Sequence, residues 1–80
     1  GNPHVFATSF PSGHVCVAAD KSLITFADDT CSHISFVYNF QYVINCFSAS
    51  DDGLIYFVVT GKEVIVYIIQ YRVGYLIQGM

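Results

Sequence analysis

Short runs of apolar residues alternate with polar clusters along the whole chain. The runs are rich in Val, Ile, Phe, Tyr and Thr, which favour the pleated surface of a β-strand, whereas strong helix formers dominate no long window. Polar or glycine-containing clusters separate the runs roughly every 8–12 residues, a spacing typical of a β-sandwich or barrel. The pattern therefore predicts an all-β protein.

The apolar runs predict seven strands and one further short segment. The predicted strands cover residues 4–10, 14–19, 23–27, 33–39, 41–48, 54–60 and 64–70. Residues 71–77 either extend the last strand or form a short one after Gly74. The segments 54–59 and 64–69 are apolar on both faces, which is typical of central strands buried on both sides. The alternative is an exposed face used for association.

Eighty residues form one domain at most. No internal repeat is visible, so we predict a single all-β domain.

The composition of the chain excludes several classes of protein. Hydrophobic residues make up 54% of the chain, too many for intrinsic disorder, and only three residues are Lys or Arg, too few to bind a nucleic-acid backbone. The most apolar stretch, 54–77, is long enough to span a bilayer, but the charged turn at 60–63 interrupts it, so we predict no membrane span. We also find no cofactor motif and expect no cofactor.

Two histidine–cysteine pairs form a candidate zinc set. His14 and Cys16 share one strand face, as do Cys31 and His33, and two such pairs on adjacent strands could complete a tetrahedral site. The competing interpretation is two core cysteines and two histidines near strand ends, which we favour because the spacing is unusual for zinc.

No signature of nucleophilic catalysis is present, so we predict that the chain is not an enzyme. Paired carboxylates occur at Asp28-Asp29 and Asp51-Asp52. Asp is favoured in turns because its side chain accepts bonds from nearby backbone amides, so we predict turns there rather than metal or acid/base sites.

The segment 64–70 contains no charge or proline to protect an exposed edge. If it lies at a sheet edge, Val64, Val66, Ile68 and Gln70 would pair with a partner's strand; if it lies centrally, it belongs to the core. The three cysteines allow one bridge and one free thiol, or no bridge, and the spacing does not choose among the pairings.

Three segments together resemble the MAX effectors, small secreted virulence proteins of ascomycete plant pathogens. His14-Val15-Cys16-Val17 followed by Asp20-Lys21 is similar to the family's first strand and turn. Residues 34–38 and 40–46 are similar to its third and fourth strands, and residues 51–64 to the approach to its fifth strand and the hairpin into its sixth.

This resemblance implies a six-stranded antiparallel β-sandwich of two three-stranded sheets, with an optional extra N-terminal strand. Its core would be residues 14–70, with 1–12 as an N-terminal extension or extra strand and 71–80 as a C-terminal extension. The resemblance also implies a secreted protein that acts in or around host plant cells and binds a host protein or an immune-receptor domain, without catalysis. We expect a monomer or weak self-association. The family's second cysteine position is occupied here by Asp51-Asp52-Gly53. The resemblance therefore implies a Cys16–Cys46 bridge, with Cys16–Cys31 as the alternative.

Three other functions compete with the effector. A longin-type, profilin-like trafficking domain would share several strands but needs an amphipathic helix after its second strand. The others are the small zinc-binding module described above and a self-associating structural protein.

Overall fold

The computed structural model describes residues 5–79 of the chain. Eight strands form two four-stranded antiparallel sheets, and each sheet is a simple meander in which sequence neighbours pair. The first sheet contains β1 (Val5–Ser9), β2 (Val15–Ala19), β3 (Ser22–Phe26) and β4 (Ile34–Asn39); the second contains β5 (Ile44–Ala49), β6 (Ile55–Thr60), β7 (Glu63–Ile68) and β8 (Val73–Gly79). The only helical element among these residues is the 3₁₀ turn Ile69–Tyr71.

The prediction of an all-β sandwich-like fold is confirmed, whereas the predicted number of strands is wrong. The N-terminal segment is a full strand, β1, paired with β2 along its length, and the C-terminal segment is a full strand, β8, paired with β7. The first was expected as an extension or an extra strand, and the second as an extension or a short strand. Each adds one strand to a three-stranded sheet because its backbone completes the hydrogen-bonded ladder. His4, the first residue of the predicted strand 4–10, lies outside the described residues.

Tight turns connect the strands of each sheet. The β2–β3 turn is Asp20-Lys21, and Asp20 has a left-handed φ of 53°, which aspartate tolerates better than most residues. The β6–β7 turn is Gly61-Lys62, where the Thr60 hydroxyl oxygen accepts hydrogen bonds from the backbone N–H of Lys62 at 3.2 Å and of Glu63 at 3.0 Å. These local bonds stabilise the β6–β7 turn.

The core lies between the two sheets and is aromatic. Tyr67 is 1% exposed and packs against three rings of the first sheet and its following loop, with ring centroids 4.3 Å from Tyr38, 5.9 Å from Phe36 and 6.3 Å from Phe40. The other fully buried side chains include Cys16, Ala18, Leu23, Ile44, Tyr56 and Val58. Burying one large side chain of this kind stabilises a fold by about 1.5–3 kcal/mol, so the facing sheets hold each other in place.

The segment between the sheets is tied back to the first sheet. The Phe40 N–H donates to the Lys21 carbonyl and the Ile44 N–H donates to the Asp20 carbonyl, both at 2.7 Å. The β2–β3 turn therefore anchors the chain where it crosses from one sheet to the other.

The second sheet repeats the first, although no repeat was visible in the sequence. Ser9 pairs with Val15 across the first turn of one sheet, and Ala49 pairs with Tyr56 across the corresponding turn of the other. Each turn contains a glycine with positive φ, followed by a hairpin whose two-residue turn ends in lysine. On this basis Gly13, Val17, Lys21 and Ile24 correspond to the identical residues Gly53, Val58, Lys62 and Ile65.

Two physical reasons explain why this repeat is not visible in the sequence. Six residues separate the paired Ala49 and Tyr56 in the second sheet, against five between Ser9 and Val15 in the first, which shifts all later positions. The β7–β8 connection (69–72) is also shorter than the β3–β4 connection (27–33). Because turns tolerate such changes while strands keep their apolar pattern, the repeat survives as pairing and register rather than as identity.

Equivalent residues of the two sheets point in the same direction along the stack. Cys16 and Leu23 face the second sheet and are fully buried, whereas their counterparts Phe57 and Val64 face away from the first sheet. The sheets are therefore stacked head-to-tail, with the front of one against the back of the next. A twofold pair of sheets would bring equivalent faces together.

We expect the two turn glycines to differ in their tolerance of alanine. Gly13→Ala introduces a Cβ at φ +94° into open space, whereas Gly53→Ala introduces one at φ +72° that lies 3.1 Å from the Phe10 ring. The left-handed backbone costs about 1–2 kcal/mol for a residue with a Cβ in either variant, and the contact with Phe10 adds about 1 kcal/mol or more at position 53. Denaturant unfolding of both variants measures the difference; equal losses would contradict the packing of Phe10 over Gly53.

Candidate functional site

A small cleft opens between the sheets at the end that carries the β1–β2 and β5–β6 turns. Its volume is about 220 Å³, and most of its lining is apolar. The residues around it include Phe10, His14, Thr25, Phe36, Asp52 and Tyr56. Pockets that bind small organic ligands usually enclose roughly 300–1,000 Å³, so this cleft is below that range.

Two buried hydroxyls lie at the base of the cleft without a hydrogen-bond partner. They are Thr25 Oγ1 and Tyr56 Oη, on residues that are 5% and 0% exposed. Their polar neighbour is the Cys16 thiol, a weak hydrogen-bonding group. Burial raises the pKa of this thiol to about 11, and burial also raises the pKa of Tyr56.

The buried trio is therefore neutral at physiological pH. A thiol with a pKa of about 11 contains almost no thiolate, which is the form that attacks substrates or binds metals. Among residues 5–79, neither His14 nor His33 is hydrogen-bonded to Cys16. The cleft can accept an apolar group beside two hydroxyls, but it offers no activated nucleophile.

The aspartates near this end stabilise turns. Hydrogen bonds from the Ser50 hydroxyl at 2.6 Å and the Leu54 N–H at 3.0 Å hold the pKa of Asp52 below its usual value. The hydroxyl and N–H of Thr30 do the same for Asp28. Both aspartate pairs lie in turns, as predicted from the sequence.

The structure does not bring the candidate zinc set together. Cys16 is buried between the sheets, whereas Cys31 and His33 lie exposed in the β3–β4 connection and His14 is exposed before β2. Within residues 5–79, no group of three or more His, Cys, Asp or Glu side chains is placed to hold a metal ion.

The expected disulfide is not formed. All three cysteines are free. Cys16 points into the core from the first sheet, whereas Cys46 pairs with Val59 on the outer face of the second sheet and Cys31 lies in a loop. Both proposed pairings of Cys16 are wrong for this structure because its thiol is enclosed by the core and the other two thiols face solvent.

The predicted binding edge is wrong in its location. Val64, Val66 and Ile68 lie in β7, which pairs with β6 on one side and with β8 on the other. Their backbone groups are used within the sheet and cannot pair with a partner's strand. Gln70 lies in the 3₁₀ turn beyond the strand.

The side chains of these residues nevertheless lie on an exposed surface, the outer face of the second sheet. We define this face by the outward residues of its four strands: Cys46, Ser48, Ile55, Phe57, Val59, Val64, Val66, Ile68, Val73 and Tyr75. Phe57, on the central strand β6, and Tyr75, on the edge strand β8, are each 52% exposed. Such exposure is unusual for a large apolar side chain on a central strand. Nearly all of these outward residues are apolar.

The outer face of the first sheet has the same character. Its residues are Val5, Ala7, Val15, Val17, Ala19, Ile24, Phe26 and Val37, with Ser9, Ser22 and Asn39 at its margins. Val37 is 48% exposed. The chain thus presents an apolar surface on both sides of its stack.

Neither outer face carries a charge. The chain has nine charged residues, and every one lies in a turn or connection except Glu63, the first residue of β7. Soluble sandwiches normally place polar and charged side chains on their outer faces. The sequence did signal these faces, because 54–59 and 64–69 are apolar at every position, but it could not tell two-sided burial within one chain from burial by a neighbour.

No helix among residues 5–79 has the length and apolar character needed to cross a lipid bilayer.

We expect the two buried threonines to respond in opposite ways to replacement by valine. Thr25→Val removes a hydroxyl that has no partner, so the free energy of unfolding stays the same or rises by up to about 1 kcal/mol. Thr60→Val removes an oxygen that accepts two backbone N–H bonds, so we expect a loss of about 1–3 kcal/mol. Chemical denaturation of both variants provides the measurement; a large loss from Thr25→Val would show that its hydroxyl has a partner.

Comparison of the chain with protein-family models, curated proteins and solved structures finds no match. The functional conclusions therefore rest on the contacts, burial and charges of the residues themselves.

Proposed function

We propose that this protein works by binding other proteins through the outer faces of its sheets, without catalysing a reaction. The observation that carries the proposal is the absence of charge from both faces, together with half-exposed aromatic residues on the second. Exposed apolar patches larger than a few hundred Å² mark interaction surfaces in soluble proteins. A four-stranded face measures roughly 19 Å across and 17 Å along its strands, and this chain has two.

The composition of the faces supports a protein partner. The cores of protein interfaces are depleted of charge and enriched in Tyr, Phe and apolar residues. The outer face of the second sheet has this composition, with Phe57, Val66 and Tyr75 as neighbours. The net charge of −3 and the three cationic residues offer little attraction for a phosphate backbone.

The interior chemistry supports a role without catalysis. The buried Cys16 is protonated at physiological pH, and Asp28 and Asp52 are engaged in turn hydrogen bonds. The cleft beside Tyr56 is smaller than the usual ligand pocket. A binding protein needs none of these groups to be reactive.

The resemblance to MAX effectors supplies a more specific proposal, that of a secreted protein binding a host plant protein. The all-β sandwich supports it, while eight strands in place of six and three free cysteines depart from that family. Detection of the protein outside the producing cells, bound to a host protein, would support this role. Confinement to the producing cells would exclude it.

We expect a charge on the outer face of the second sheet to abolish binding at that face. Phe57→Lys and Val66→Lys each place an ammonium group in the middle of the face, where a partner would have to strip it of water. In gentle extracts of its own source cells, the tagged wild-type chain is expected to elute well above the mass of one tagged chain, and both variants at a clearly lower mass than the wild type.

The matched control is Tyr71→Lys. Tyr71 is 64% exposed but lies in the 3₁₀ turn, off both outer faces. This variant is expected to elute with the wild type. Elution of the wild type as a single chain in its own extract would refute the proposed function, and equal loss in all three variants would refute the assignment of the face.

A further inference from the structure

We propose that the two outer faces bind each other, so that copies of this chain stack head-to-tail into a closed ring of four-stranded sheets. This inference rests on the proposed function and names its partner, a second copy of the chain. The outer face of the second sheet of one copy would pack on the outer face of the first sheet of the next.

The molecule already contains one example of this contact. The inner face of the first sheet packs on the inner face of the second, and the register shows that these are the front of one repeat and the back of the next. Cys16 and Leu23, at 0% exposure, have their counterparts in Phe57 and Val64 on the uncovered face. A second copy would cover these two residues as the second sheet covers Cys16 and Leu23.

The inner face of the second sheet and the outer face of the first sheet support the same head-to-tail contact. Val58 and Ile65 are buried against the first sheet, and their identical counterparts Val17 and Ile24 lie on the outer face of the first sheet. The same residue types that are core in one repeat are uncovered in the other. Each open face therefore matches a face whose binding partner is visible in this chain.

A head-to-tail contact must either close into a ring or continue as a filament. Twisted four-stranded sheets stacked in this way close as β-propellers, which usually contain four to eight sheets around a central channel. Because each copy supplies two sheets, closure requires two, three or four copies.

Light scattering coupled to size exclusion tests the assembly on the purified chain. We expect a mass of two, three or four times 8.9 kDa for the wild type. Ile24→Lys blocks the outer face of the first sheet, and Val66→Lys blocks that of the second. Every contact needs one face of each kind, so either variant alone is expected to be monomeric.

The decisive measurement is an equimolar mixture of the two variants. Ile24→Lys copies keep an intact second sheet and Val66→Lys copies keep an intact first sheet, so the mixture is expected to form one contact and stop at two chains. A symmetric contact between two identical faces gives a different result, because one variant alone would then remain dimeric. That result would overturn the head-to-tail inference.

The cysteines provide a test on the unmutated chain, which does not depend on the variants folding. Cys46 lies on the outer face of the second sheet, and Cys31 lies in an exposed loop. As protein concentration rises, we expect maleimide labelling of Cys46 to slow at least tenfold while that of Cys31 stays constant. Equal labelling at all concentrations would overturn the inference.

The outcome also separates this inference from the proposed function. A purified wild-type chain of 8.9 kDa that still elutes in a large complex from its own extract would show that another polypeptide covers the faces. The self-stacking inference would then be wrong, while the proposed protein-binding function would stand.

Discussion

Each sheet in this protein has two apolar faces but only one neighbouring sheet. Burial of the facing pair supplies the core, centred on Tyr56 and Tyr67, and this contact holds the two meanders together. The same residue pattern is present on the faces that the chain leaves open. A four-stranded sheet of this composition therefore requires a sheet on each side, and two of them in one chain satisfy only half of that requirement.

The placement of charge follows from this constraint. A charged side chain on either face would be costly wherever that face is buried, so charge is restricted to the turns. The low charged fraction of the sequence, 11%, is thus a property of the strands and not a sign of an unusually large core. Among residues 5–79, only nine apolar side chains are buried, together with Thr25 and Thr60, which is fewer than the apolar content alone would suggest.

The strands could be predicted well from the sequence because their apolar runs and turn residues are local signals. All eight observed strands overlap predicted segments. The predicted turn at Gly61-Lys62 is also present, between β6 and β7. The sheet assignment was harder, because pairing depends on contacts between distant residues. The segment Val73–Gly79 adds a strand because the backbone groups of β7 are available for pairing. The local sequence pattern contains no signal of that availability.

The candidate site was less predictable for a related reason. The sequence pattern allowed the two histidine–cysteine pairs to lie on adjacent strands. In the structure, the side chain of Cys16 points into the core, whereas Cys31 and His33 lie in a solvent-exposed loop. The repeat was hidden by one inserted turn residue and by connections of different length. Without it, a strand apolar on both faces has two equally good explanations, burial inside one chain and burial between chains.

The head-to-tail relation also determines how charge is distributed over the stack. One end carries Asp28, Asp29, Asp51 and Asp52 with Arg72, which accounts for the whole net charge of −3, while the other end carries Asp20, Lys21, Lys62 and Glu63, which cancel. Because head-to-tail stacking keeps strand directions constant, every copy in the proposed ring presents its acidic end on the same side. The ring would therefore have one acidic rim and one neutral rim, and the acidic rim would attract cationic surfaces at low ionic strength while the buried faces hold the assembly together. In the proposed ring, assembly would be carried by the outer faces, which have no charge, and attraction of a further partner by the turns, which contain nearly all of the charge.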